Sequence, residues 1–136
     1  MSKTVWKPIA TLVFGCMAVS AQVSQGVVAK VPFSFVAGQK SFASGDYRVK
    51  LYSSTGVLSI QSLDGKTHGL ALCGSAEVAK APTHASLIFN RYGNEYFLNQ
   101  LWMQGEKTGL ELVKTKRELE VASTMTRTLT FVGSYK

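Results

Sequence analysis

Apolar and polar residues alternate along most of the chain, which is the pattern of half-buried β-strands. Tyr47, Val49 and Leu51 take one face of such a segment, and the basic residues between them take the other. Leu58 and Ile60 repeat the pattern in the next segment. Because successive side chains of a strand point to opposite faces, the alternation predicts short antiparallel strands that share one core.

Two hairpins are predicted where a glycine turn separates two alternating segments. Asp64-Gly65 is the stronger signal, because both central residues of such a turn must tolerate positive φ. Tyr92-Gly93-Asn94 is the second signal. Both strands around this second turn carry apolar residues on each face, which predicts a central position or a sheet whose second face is also covered.

The segment 112–122 departs from the alternating pattern. Thr115 and Glu118 have the spacing of a capping box, in which a hydroxyl and a carboxylate satisfy exposed N–H groups. Leu112 and Leu119 lie seven residues apart, on one face of a helix. We therefore expect one short helix near the C-terminus, followed by a closing strand over residues 126–132.

The strand pattern as a whole predicts a mainly β fold. About seven strands with turn signals roughly every ten residues are typical of an antiparallel sandwich or a small barrel. We expect one of these two architectures, with one short helix near the C-terminus. The length of the chain supports one core, so residues 22–136 are expected to form a single β domain.

The first 21 residues have the order of a secretion signal. Lys3 and Lys7 precede an apolar stretch over residues 8–18, and Ala21 ends a run of residues of the kind that a signal peptidase reads. Cleavage after Ala21 would release a periplasmic or secreted protein.

Two alternatives to this cleavage concern the same segment. A membrane span needs roughly 20 apolar residues, and the apolar stretch is about half as long, so we do not expect an integral membrane protein. Lipid attachment at Cys16 is the second alternative, although the bulky Phe14 is atypical of a lipoprotein signal. Mass spectrometry of the mature N-terminus distinguishes the three outcomes.

The positive charge of the chain is spread out. The formal net charge is +7, and it falls to +5 when Lys3 and Lys7 leave with the signal. Glutamates interrupt the one basic cluster, Lys114, Lys116 and Arg117, which favours a solvated helical face over a nucleic-acid site. We therefore expect no nucleic-acid partner.

The sequence carries no motif of an enzyme active site. It has no Gly-x-Ser-x-Gly elbow, phosphate-binding loop or His-Glu-x-x-His pair. His68 and His84 are the only histidines, and both are expected in exposed positions. Cys73 would be the single cysteine of the mature chain, and its apolar surroundings predict a small buried hydrophobe. We expect no enzymatic activity, no catalytic residue, no metal and no cofactor.

The aromatic residues are the remaining candidates for ligand binding. They are concentrated on predicted strands, where they could line a cavity for an apolar or sugar-like ligand. A packed core uses the same residues, and we expect that role for most of them. The low-ranking candidates for a ligand site are Tyr47, Tyr92, Tyr96 and Trp102.

Three segments, over residues 31–38, 42–49 and 87–98, carry a Phe-Val-x-Gly motif, a Gly-x-Tyr turn and an Arg-Tyr-Gly-x-x-Tyr-Phe hairpin. In this combination the chain resembles a group of uncharacterised small exported proteins of soil bacteria. The group has a Leu-Pro-Ala-Gly-x-Tyr turn, and this chain lacks the proline there. The resemblance spans most of the mature chain. It implies export and the fold class, and it brings no known activity.

Three functional hypotheses follow from the sequence. The first is a non-enzymatic binding or interaction module that uses a sheet edge or an aromatic patch. The second is a structural component of the cell envelope that self-associates through such an edge. The third and weakest is a small hydrolase that uses His68 or His84. The partner is unknown, and we expect a protein or another component of the cell envelope.

Overall fold

The computed structural model describes residues 26–53 and 56–135. The predicted secretion signal lies outside the described residues, as do residues 54 and 55. Ten strands and one helix form in chain order. They are β1 (Gly26–Val31), β2 (Phe35–Ala37), β3 (Lys40–Phe42), β4 (Gly45–Ser53), β5 (Val57–Ser62), β6 (His68–Glu77), β7 (Ser86–Tyr92), β8 (Glu95–Trp102), β9 (Thr108–Leu112), α1 (Lys116–Ala122) and β10 (Arg127–Gly133).

The strands form one open, mostly antiparallel sheet. Its first half has the order β1-β4-β5-β6. The long strand β6 connects the halves, because residues 68–72 pair with β5 and residues 73–77 pair with β9. The second half continues from β9 to β8, which also pairs with β2 in parallel at Val36. Strand β7 lies on the other edge of β8, and β10 pairs with β7.

The hydrophobic core lies between the two halves of the sheet and takes residues from both. Its centre is a cluster of aromatic rings around Phe35. The Phe35 ring lies 5.1 Å from the Phe42 ring, 5.2 Å from Tyr47 and 5.3 Å from Phe89, centroid to centroid. The largest fully buried aliphatic side chains around this cluster are those of Val27, Val31, Val49, Leu58, Ile60, Leu87 and Leu98.

Both predicted hairpins form. Gly65 adopts a φ of 78° between β5 and β6, and Asp64 accepts hydrogen bonds from the Ser62 hydroxyl (2.6 Å) and the Lys66 N–H (2.9 Å). Gly93 adopts a φ of 65° between β7 and β8. The left-handed backbone that glycine tolerates best is therefore used at both turns.

The mainly β prediction and the short C-terminal helix are confirmed, and the predicted number of strands is wrong. The described residues form ten strands instead of about seven. Strands β2 and β3 have three residues each, too few to show a period of two. Strand β9 occupies Thr108–Leu112, where the sequence predicts no separate strand. The sheet is open, so it is compatible with the sandwich alternative and does not form a closed barrel.

The predicted packing of the helix is also corrected. Leu112 ends strand β9 and is buried there, whereas Leu119 is exposed, so the two leucines do not share a buried helical face. Thr115 caps the helix as expected, because its hydroxyl accepts a hydrogen bond from the Glu118 N–H (3.3 Å). The Glu118 side chain is the buried one on α1, and its carboxylate points to strand β7.

Inward-facing residues were predicted correctly for most of β4 and β5. Tyr47, Val49, Leu58 and Ile60 are buried. Leu51 was predicted to face the interior and is exposed instead. Leu51 is the last residue of β4 in regular register, opposite the buried Leu58, and the pairing of β4 with β5 shifts between Leu51 and Ser53.

Candidate functional site

The four aromatic candidates from the sequence do not converge on one site. Tyr47 is buried in the core. Tyr96 is half-buried and stacks on Phe33, with the ring centroids 3.8 Å apart. Tyr92 and Trp102 lie on the other face of β7 and β8, which we call the outer face. The four candidates therefore lie on two different faces of the sheet.

The aromatic rings of the inner face pack against each other. Phe33 and Phe35 meet the Phe89 ring at 5.0 Å and 5.3 Å, both edge to face. These are the separations of packed aromatic pairs. Ring packing therefore accounts for the inner aromatic residues.

An open groove of about 370 Å³ lies on the outer face of β7, β8 and β10. Ile88 and Trp102 are nearly buried at its base, and Phe131 stands at its side with 63% of its surface exposed. The Trp102 indole N–H donates to Gln100 Oε1 at 2.9 Å. Since this hydrogen bond satisfies the only donor of the indole, the ring offers an apolar surface to an occupant.

The connection between β6 and β7 forms the second wall of the groove with Val78, Lys80 and Pro82. Two backbone hydrogen bonds attach this connection to the segment between β8 and β9. The Gly105 N–H donates to the Pro82 carbonyl (2.9 Å), and the Val78 N–H donates to the Lys107 carbonyl (3.0 Å). The wall is thus held by the protein itself, so an occupant would not have to order it.

Strand β9 holds the Trp102 ring in place through Gly109. A Cβ atom at position 109 would lie 2.7 Å from two carbon atoms of the Trp102 ring and 2.7 Å from the Leu101 carbonyl oxygen. Glycine is therefore required here for close approach of the indole to the strand.

A buried polar cluster lies beside the groove, under helix α1. Glu118 is 5% exposed, and one carboxylate oxygen accepts hydrogen bonds from Asn90 Nδ2 (2.8 Å) and the Tyr92 hydroxyl (3.0 Å). Among the described residues, Asn90 Oδ1 is the one buried side-chain polar atom without a hydrogen-bond partner. The cluster attaches the helix to the outer face of β7.

In this cluster the phenol of Tyr92 is a weaker acid than the phenol of an exposed tyrosine. Burial, the hydrogen bond to Glu118 and the charge of that carboxylate together raise the pKa of Tyr92 to about 12, and the charge of Arg127 opposes the rise. The native state therefore holds the phenol proton up to a higher pH than an unfolded chain does, where the pKa is 10.0.

We expect the free energy of unfolding to fall as the pH rises from about 10 to about 12. Below pH 10 both states hold the proton, and the contribution is complete. Above it the unfolded chain loses the proton first, which lowers stability by at most about 1.4 kcal/mol per pH unit for this one group. Denaturant titrations at several alkaline pH values should show a shallower decline for Tyr92→Phe. An unchanged slope in that variant, with Tyr52→Phe as the exposed control, would contradict the assignment.

The two histidines occupy exposed positions, as expected. His68 Nε2 lies 3.3 Å from the hydroxyl of Ser59, and His84 Nδ1 lies 3.4 Å from the hydroxyl of Thr83. The Ser59–His68 pair is the closest approach to a nucleophile and base in the described part of the chain. Ser59 is buried, however, and within that part no carboxylate bonds to His68. This geometry does not present the hydroxyl to a substrate.

The remaining reactive groups are dispersed. Cys73 is partly buried in β6, and this burial raises the pKa of its thiol, which is the opposite of thiolate activation. Over residues 26–53 and 56–135, no three His, Cys, Asp or Glu side chains come together in a way that would hold a metal ion. No described helix has the length and apolar character needed to cross a membrane.

No protein-family model, curated protein or solved structure matches the chain. The fold and the groove therefore define its class: a mainly β protein with one open sheet and an apolar groove on the outer face of β7, β8 and β10.

Sequence reasoning identified one residue of this groove, Trp102, and missed the rest. Gln100 comes from the same strand as Trp102, and the other lining residues come from β6, β7, β10 and the connection after β6, so only the folded chain brings them together. The alternation around Phe131 was a usable signal, because it marks an aromatic residue on the last strand. Gly109 and the partners of Glu118 had no local signal.

Proposed function

We propose that the protein is an exported, non-enzymatic binding module and that its outer-face groove receives apolar side chains of a partner protein. The groove itself is the observation that carries this proposal. It combines an indole, a phenylalanine and an isoleucine in one open cavity whose wall is already fixed. Aromatic residues in such pockets supply much of the binding energy of protein interfaces.

The shape of the groove favours a protein segment over a free small molecule. Ligand sites usually bury most of a small ligand in a cavity of about 300–1,000 Å³. This groove lies near the lower end of that range and is open to solvent. Exposed apolar surface continues from Phe131 to Leu129 on the same face of β10. A partner protein would cover both the groove and this adjoining surface.

The charges at the rim suit a polypeptide. Glu77 and Lys80 line the groove beside its apolar residues, and Ser86 adds a hydroxyl. Groups of both signs can bind the N–H and C=O groups of an extended backbone while the side chains enter the groove. Export rests on the N-terminal charge and hydropathy pattern, and a mature chain starting at Gln22 would support it.

The proposal is tested by selecting short peptides from a random displayed library on the purified protein. We expect the enriched peptides to carry aromatic or branched apolar side chains and to bind at least tenfold more weakly to Phe131→Lys. Tyr52→Lys is the matched control, because Tyr52 is an equally exposed aromatic residue on β4 that does not line the groove. If the signal is cleaved, Trp102 is the only tryptophan, and its fluorescence reports occupation of the groove directly.

Two results would overturn the proposal. Peptides that bind the wild type and Phe131→Lys equally would place recognition elsewhere on the surface. If no peptide is enriched but a free apolar dye changes the Trp102 fluorescence, and Phe131→Lys abolishes that change, the occupant is a small molecule instead of a protein.

A further inference from the structure

Over the described residues the open sheet has three edge strands, β1, β3 and β10, and β10 is the longest of them. Strand β3 has three residues. Strand β1 carries Lys30, and the C-terminal tail covers part of it, since the Val28 carbonyl accepts hydrogen bonds from the Ser134 hydroxyl (3.1 Å) and the Tyr135 N–H (3.0 Å). Strand β10 has seven residues, pairs with β7 without a register shift, and has no other strand partner in the described part of the chain.

Strand β10 lacks the features with which proteins usually protect an edge. Charged residues, proline, bulges and short length all discourage pairing with another chain. The β10 sequence Arg-Thr-Leu-Thr-Phe-Val-Gly has one charge and no proline. Its outward side chains include Leu129 and Phe131, which are 49% and 63% exposed. The strand is thus suited to accept a further strand along its free edge.

We infer that this edge pairs with the same edge of a second copy, in an antiparallel dimer centred on Leu129. A two-fold axis requires each residue to face a residue it can pair with. In this register Leu129 faces Leu129 of the second copy, Arg127 faces Phe131, and Thr128 faces Thr130. These are apolar, cation–π and hydroxyl pairs, and no like charges lie opposite each other.

This register also uses the part of the edge that is free. The C-terminal end of β10 approaches β1, where Tyr135 bonds to Val28. A pair centred on Leu129 needs only residues 127–131 of each copy, and it stays clear of that contact. Because paired residues share a face, both outer-face grooves would open on the same side of the joined sheet.

The partner is a second copy because the strand complements itself. The β10 sequence is complementary to its own reverse about Leu129. A threonine lies on each side of Leu129, and beyond the threonines Arg127 lies on one side and Phe131 on the other. An unrelated strand would need a matching pattern of its own, whereas a second copy brings it automatically. The inference is independent of what the groove binds.

Light scattering after size-exclusion chromatography, on the purified protein over a wide range of concentrations, tests the inference. We expect a mass that rises from one chain to two, and a dissociation constant at least tenfold higher for Leu129→Lys, which places two lysines opposite each other. Leu72→Lys is the matched control, because Leu72 is a 64% exposed leucine on β6, and it should dimerise like the wild type.

Cysteine cross-linking gives a second and independent measurement. In a Cys73→Ser background, Leu129→Cys should form disulfide-linked dimers under mild oxidation, and Leu72→Cys should not. A wild type that remains monomeric at every concentration overturns the inference. Dimers that Leu129→Lys leaves intact, or that Leu72→Lys weakens equally, overturn it as well.

Discussion

Replacing Phe35 with alanine should lower the free energy of unfolding by about 4 kcal/mol, the largest effect that we expect from a single substitution. Phe35 belongs to a strand of three residues, yet its ring contacts three other rings in the core, those of Phe42, Tyr47 and Phe89. Truncation removes the buried ring and leaves a cavity whose rigid aromatic walls cannot close.

Denaturant titration monitored by circular dichroism measures this loss. Phe131→Ala is the matched control, because it removes the same atoms from an exposed position on β10, and it should change stability by less than about 0.5 kcal/mol. Phe35→Leu should lose less than Phe35→Ala, since it refills part of the space. Equal losses in the free energy of unfolding for Phe35→Ala and Phe131→Ala would mean that the aromatic cluster does not stabilise the core.

The sequence predicts the local features of the fold well. The turns at Gly65 and Gly93 and the helix cap at Thr115 depend on residues that are close in the chain, so their signals are complete in a short segment. The burial of Val49, Leu58 and Ile60 follows from a period of two. These features set the fold class, and none of them depends on which strands pair.

The features that the sequence did not predict depend on residues distant in the chain. Leu112 fits a helical spacing with Leu119, but pairing of β9 with β6 and β8 decides its structure. Trp102 needs Gly109 beneath its ring and the connection after β6 beside it. Neither requirement leaves a local pattern, so tertiary contacts override the propensity of the segment.

Glu118 takes part in one local contact, which the sequence predicts, and in contacts with distant residues, which it does not predict. Its spacing from Thr115 indicates a capping box, and one of the two hydrogen bonds of that motif forms, from the Glu118 N–H to the Thr115 hydroxyl. The carboxylate instead bonds to Asn90 and Tyr92, which lie 28 and 26 residues earlier in the chain. A local motif thus predicted where the helix begins, and a distant contact determined what the side chain does.

Replacing Glu118 with alanine should therefore destabilise the protein by about 2–3 kcal/mol. The substitution leaves the Asn90 amide and the Tyr92 hydroxyl without their acceptor in a buried site, and each unsatisfied group costs about 1–3 kcal/mol. The loss is less than the sum of these costs, because alanine also removes a carboxylate that is unfavourable to bury. Glu120→Ala, on the exposed face of the same helix, should have little effect.

Glu118→Gln separates the hydrogen bonds from the charge. Glutamine keeps an acceptor oxygen for the Tyr92 hydroxyl, and its amide supplies an N–H donor close to Asn90, whose Oδ1 has no partner within the described residues. We expect this variant to stay within about 1 kcal/mol of the wild type in denaturant titrations at neutral pH. If it loses as much stability as Glu118→Ala, the negative charge holds the helix on β7, and the hydrogen-bond geometry is secondary.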